Sequence, residues 1–218
     1  AVSFLCLWLL LMSVASAQAG FGFKLGSNLT RIVGEDAVMP VGYGGNSQPT
    51  DFATPGLAVG LVVYIPSMIA PGASDFVLKN ELIYSQKGGR WSDKDDDAYI
   101  EFRLDYVEVA SSFSFLLAQN FGVSCGLYSG YLIGAKQIYY EEGDKMIDSA
   151  DSDDLDDLKS RFDYGVSIGG TCSVNDRILL GLDYSLGLVN FLSLENDDDP
   201  TLAKNSGFQV SAVYFLKK

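Results

Sequence analysis

The chain has 218 residues, 48% of them apolar, enough for one substantial domain and with no compositional excess that by itself demands a membrane. It contains no histidine, which removes the commonest general base, serine-triad partner and metal ligand together. A net charge of −13 excludes a phosphate-backbone partner, so no nucleic-acid role is expected.

Residues 2–12 form an apolar run too short to span a bilayer, and small residues follow it. Ala15, Ser16 and Ala17, or Ala17, Gln18 and Ala19, fit a small-x-small cleavage site. Cys6 lies inside the run, ahead of that site, the wrong place for a lipoprotein acceptor. Neither an initiator Met nor a charged leading stretch precedes the run, so the sequence is expected to begin inside the signal. The expectation is a cleaved secretory signal at 1–19 and one domain at 20–218.

Alternating segments then follow one another. Residues 20–28 set Phe21, Phe23 and Leu25 against Gly22, Lys24 and Gly26, the period of two that marks a strand. Residues 56–65 oppose Leu57, Val59, Leu61, Val63 and Ile65 to Ala58, Gly60, Val62 and Tyr64. A third strand is expected over 75–86 and a fourth over 98–117. In the fourth, Ile100, Phe102, Leu104 and Tyr106 oppose Glu101, Arg103 and Asp105, and a parity slip at Val107 and Glu108 predicts a bulge. Residues 120–138 set Phe121, Val123, Cys125 and Leu127 against Gly122, Ser124, Gly126 and Tyr128. The sixth strand, 161–171, alternates Phe162, Tyr164, Val166 and Ile168 with Asp163, Gly165, Ser167, Gly169 and Thr171. The seventh, 177–190, alternates Leu180, Leu182, Tyr184, Leu186 and Leu188 with Gly181, Asp183, Ser185 and Gly187. An eighth covers 207–216.

The connections alternate in length. GEDAVMPVGYGGNSQPT, KGGRWSDKDDD, EEGDKMIDSADSDDLDDLKS and LENDDDPTLAKN are long; PSMIAPGA and the turns at Gln119 and Asn175 are short. One end of the molecule is therefore elaborate and the other plain, as in outer-membrane barrels with long outer loops and short periplasmic turns. The charges assigned to the inward parity are Lys24, Lys79, Glu81, Glu101, Arg103, Asp105, Asp163 and Asp183. A soluble lipocalin-like barrel carrying a ligand in the periplasm would bury the apolar parity and expose these charges. In a membrane the same alternation inverts, because lipid is the apolar phase and a closed sheet satisfies the backbone. Small inward residues, acidic loops and the loop asymmetry favour the second: an all-β, closed, antiparallel, eight-stranded transmembrane up-and-down β-barrel in the bacterial outer membrane.

Six motifs occur in order along the chain: FKLGSNLTRI at 23–32, LIYSQKG at 82–88, LDYVEV at 104–109, GLYSGYL at 126–132, FDYG at 162–165 and DYSLGL at 183–188. The ordered set resembles the PorT-like outer-membrane barrels of Bacteroidetes-type bacteria, small barrels of the OmpA/OmpX-like kind. It departs from the family pattern at Ala110, where a proline is usual. The resemblance implies an eight-stranded outer-membrane barrel and no reaction.

An eight-stranded barrel is just wide enough for side chains to fill, so the inward charges are expected to pair across the lumen as structural ion pairs, with a wide pore the rival. The aspartate stretches at 95–97, 151–157 and 197–199 read as solvated charge runs. Divalent cations would associate with them weakly, because the 151–157 run lacks the glycine of an ordered calcium loop. No cofactor, metal site or catalytic residue is expected. An outer-membrane enzyme acting on lipid or peptide remains the other-class alternative, and it would need a carboxylate pair. The expected partners are outer-membrane lipid and, at the long loops, a protein or polysaccharide, in a structural, recognition or envelope-assembly role. The sequon at Asn28 to Thr30 is read as chance. Cys125 and Cys172 are expected as two lipid-facing thiols, with a cross-strand disulfide the alternative.

Overall fold

The computed structural model describes residues 20–34, 48–49, 54–66, 76–92, 99–118, 120–141, 144–148, 160–190 and 204–217. The expected signal at 1–19 and the aspartate stretches at 95–97, 151–157 and 197–199 lie outside the described residues. The strands are β1 (Gly20–Val33), β2 (Gln48–Pro49), β3 (Thr54–Pro66), β4 (Phe76–Ser92), β5 (Tyr99–Ala118), β6 (Phe121–Glu141), β7 (Asp144–Asp148), β8 (Phe162–Ser173), β9 (Ile178–Gly187) and β10 (Lys204–Lys217). Eight of them close on themselves in the order β4-β3-β1-β10-β9-β8-β6-β5, with β5 returning to β4. All pairings are antiparallel, and the first and last strands meet at a seam running from Phe21 and Lys217 to Val33 and Lys204. The short β2 adds to the edge of β4, and β7 to that of β6.

Closure satisfies the backbone and leaves alternation to sort the side chains. Phe23, Leu25, Leu61, Phe113, Leu127, Ile133, Ile168, Leu182 and Val210 all stand on the outside, each about half exposed or more. Lys24, Lys79, Glu81, Lys87, Glu108 and Asp163 are buried within. Water would penalise both choices. An exterior of this kind, apolar on every stave, is stable only against an apolar phase.

The inward face of β3 explains how polar chains fit. Gly56, Ala58 and Gly60 leave space over β3, so Asn28 on β1 reaches across it to donate to Ser85 Oγ and the Gln86 carbonyl on β4, both at 2.9 Å. Thr30 crosses likewise, its hydroxyl accepting from the Gly88 amide at 2.8 Å. At the short-turn rim, Val62, Val213 and Phe215 form an apolar floor, with Tyr64 and Leu179 packed against it. The β8–β9 turn is held by the Asn175 carboxamide, which accepts from the amides of Arg177 (2.8 Å) and Ile178 (2.9 Å).

Three observations correct the sequence-based expectation. First, β4 continues through Lys87 to Ser92, a stretch that Gly88 and Gly89 make look like a loop. Gly88 is in the strand at φ 151, and a Cβ there would collide with the Phe102 carbonyl, so only glycine lets β5 approach. Second, β4, β5 and β6 outrun their neighbours. The β6–β8 pairing stops at Tyr131 and Phe162 while β6 runs on to Glu141, and β3–β4 pairing stops at Ala58 and Ser85 while β4 runs on to Ser92. Third, the bulge is not at Val107 and Glu108. The extra residue is Ile133 on β6, opposite the step from Asp105 to Tyr106, and β5 keeps its parity through that region, its own extra residue being Leu117 beside the short turn. Leu104 (2% exposed) and Tyr106 (1%) therefore point inward, and Glu101, Arg103 and Asp105 share the outward parity of Val107. These three are removed from the lumen. The three lie on the long-connection side of Val107, the last exposed apolar residue of that face on β5.

Candidate functional site

The interior is the densest concentration of chemistry in the described chain, and it is built in two charged layers. In the lower layer Lys24 on β1 contacts Glu81 at 2.9 Å and Asp183 on β9 at 4.0 Å. Lys79 on β4 contacts the same two carboxylates at 3.3 and 3.8 Å. Two cations and two anions thus alternate around a ring, each touching both opposites. Such a ring relieves the desolvation that any one buried charge would suffer alone.

In the upper layer Lys87 on β4 lies 2.5 Å from Glu108 Oε1 on β5 and 3.1 Å from Asp163 Oδ2 on β8. Its ammonium also sits 4.2 Å from the centroid of the Tyr128 ring and 5.4 Å from that of Tyr106. Asp163 accepts further bonds from Asn205 Nδ2 at 3.1 Å and from the Tyr128 hydroxyl at 3.3 Å. Asn205 donates as well to the Tyr106 hydroxyl, joining β10 to β5 across the lumen.

Of the eight residues assigned to the lumen from sequence, Lys24, Lys79, Glu81, Asp163 and Asp183 lie in it, and Asp163 pairs with Lys87 rather than with Lys24, Lys79 or Arg103. Lys87 and Glu108 are interior residues that the sequence reading missed. Continuation of parity would have found Lys87, which follows 79, 81, 83 and 85; Glu108 was hidden because Leu104 and Tyr106, on its parity, read as the apolar outer face and prove to be buried.

Between the layers is a cavity of about 50 Å³, bordered by Glu81, Lys87, Glu108, Ser112, Ser167 and Asp183 among others. That holds a few waters. It is several-fold too small for a ligand of lipocalin size. Ser112 Oγ is buried there without a protein partner, a place for one such water. No group of three or more metal-ligating side chains occurs among the described residues.

Outside, Cys125 and Cys172 are exposed and free. Cys125 is paired with Ile168 and Cys172 with Phe121, so the thiols stand four rungs apart on β6 and β8. Four rungs are about 13 Å, beyond the roughly 7 Å that a disulfide tolerates between Cα atoms. The bridge alternative is therefore set aside. Alkylation of the unfolded, unreduced barrel should add two alkyl groups to its mass, and a mass that accepts none before reduction would contradict the register.

The chain matches the family described as "Outer membrane protein beta-barrel domain" over residues 15–193. No curated protein sequence matches it. Among solved structures, Neisserial surface protein A superposes with a TM-score of 0.50 at 8% identity, covering 90% of this chain and 98% of that one. The attachment invasion locus protein Ail of Yersinia pestis gives 0.46 at 10% identity, over 91% and 99% of the two chains. OprG from Pseudomonas aeruginosa gives 0.33 at 12%, over 92% and 95%.

Proposed function

Because the chain belongs to the outer membrane protein β-barrel family and is thereby a small barrel of the outer membrane, we propose that it is a plugged scaffold whose work is done at its long-connection rim. The observation that carries this is the filled lumen. An apolar floor, a four-charge ring and the Lys87 layer occupy the interior in series, leaving room only for a few waters. Neither a solute path nor a ligand chamber is left, and every interior carboxylate among the described residues faces a lysine, so none stands ready as a general acid or base. The protein is accordingly read as a non-enzyme.

What remains is recognition or envelope assembly. The extension of β4, β5 and β6 past their neighbours supports it, since it lifts a sheet beyond the rim at the end where the acidic connections leave. We orient that end to the cell exterior, by the asymmetry of long and short connections. The ordered strand motifs further support placing the chain among PorT-like barrels of Bacteroidetes-type bacteria.

In planar bilayers the mature barrel should leave the conductance at the level of bare lipid. Sustained open-channel steps would overturn the plugged reading. Affinity capture from native membranes then tests the rim: a barrel whose 149–159 stretch is replaced by a short turn should stay inserted and lose the captured partner.

A further inference from the structure

One polar pair stands on the membrane side of the wall. On β4 the alternation sends Lys79, Glu81 and Ile83 inward and leaves Leu78, Asn80 and Leu82 on the outward parity. Asn80 is in register with Val63 on β3 and with Ser111 on β5. The Ser111 hydroxyl donates to Asn80 Oδ1 at 2.7 Å. Asn80 Nδ2 is buried and has no hydrogen-bond partner among the described residues. A shielded donor without an acceptor is a standing cost to the barrel.

Its depth limits what could supply the acceptor. Ser111 lies four residues from Phe115 and four from Val107, both exposed apolar positions on the same face of β5. Eight residues of a tilted strand cover roughly 19 Å of the membrane normal, most of an apolar band about 25 Å tall. The pair is therefore near the middle of the membrane. Lipid tails carry no acceptor, and the lipid ester groups begin about 12 Å away, at the edge of that band. Backbone carbonyls at this depth are engaged within their own barrel or helix. An acceptor from outside the barrel is thus a protein side chain at the same depth.

A second copy of this chain meets that condition, because copies inserted in one orientation carry Asn80 at one depth. A carboxamide is also its own complement. Oδ1 keeps a lone pair beyond the one that Ser111 uses, and Nδ2 brings two hydrogens. The surrounding wall is low: Val63 is 7% exposed, and Val109 and Ser111 are short and only partly exposed. Leu61 on one flank and Phe113 on the other are each about half exposed. Short side chains let two walls approach closely, as they do between membrane helices.

We propose that the β3–β4–β5 wall is a dimerisation face, with Asn80 donating to Asn80 of a second copy across a two-fold axis along the membrane normal. Asn80 is fully shielded in the single barrel, so its carboxamide turns outward past Leu78 and Leu82 as the partner docks. Sedimentation equilibrium of the refolded barrel in density-matched detergent micelles tests this, with heat-modifiable gel mobility identifying folded protein. The wild type should dimerise, and N80L should dimerise roughly tenfold more weakly. N80Q, which keeps donor and acceptor, should retain the dimer. The urea midpoint of N80L, read where the protein is monomeric, should equal or exceed that of wild type, because leucine removes the unpaired amide. A purely structural asparagine would give the opposite pattern, a lower midpoint with dimerisation unchanged, and that result overturns the face. A wild type that stays monomeric at every protein-to-detergent ratio overturns it without any variant. A pure barrel that is monomeric yet leaves native membranes bound to a different envelope protein overturns the assignment to a second copy.

Discussion

Lys87→Met should weaken the barrel by about 3–5 kcal/mol, the largest loss expected of any single substitution in the interior. Methionine keeps most of the volume and removes the charge, leaving Glu108 and Asp163 buried together with no cation between them. Asp163 retains Asn205 and Tyr128, whereas Glu108 retains no ion-pair partner among the described residues. The asymmetry makes the result specific: K87M/E108Q should recover more of the loss than K87M/D163N. The urea midpoint of refolded barrel in lipid vesicles, followed by gel mobility, measures both. A K87M midpoint equal to that of wild type would show that the upper layer contributes little.

Ile168→Arg tests which phase meets the outside. Ile168 is 63% exposed, at the middle of β8 between Phe162 at one rim and Val174 at the other. On a water-facing surface the change would fall within about 0.5 kcal/mol. In lipid it should cost about 2–4 kcal/mol at the bilayer midplane. The same substitution at Phe162, close to the Tyr131 ring (5.1 Å between centroids), should cost about 0–1 kcal/mol because the rim is near the interface. A flat profile across the two positions would contradict a bilayer around the barrel.

The sequence shows the eight staves through a property that needs no partner: strict period-two alternation, which any strand between two different phases must have. It does not mark depth. The alternation of Glu101, Arg103 and Asp105 is as regular as that of Asp163, yet the first three lie outside and the last inside, because closure of the sheet, not the letters of one strand, decides which parity meets the lumen. Pairing is equally invisible along one strand. Lys87 meets Glu108 and Asp163 only after β4, β5 and β8 are set around the lumen, and the bulge at Ile133 lies two strands away from β4. Gly88 and Gly89 conceal the end of β4 for a related reason, since glycine marks a turn or a close approach with the same letter.

The seam between β1 and β10 has a bearing on assembly. The turn at Val174 to Arg177 closes a loop of a few residues, whereas the contact between Leu29 and Phe208 closes one of nearly the whole chain. On chain statistics the longer closure carries roughly 2.5 kcal/mol more entropy loss than a ten-residue one. It is also the contact that removes the last two free edges at once. Local hairpins are therefore the entropically cheapest units to form, and the seam is the dearest. Until that seam forms, every partly built sheet keeps two open sides, which makes this single junction the point at which the chain turns from an aggregation hazard into a finished cylinder.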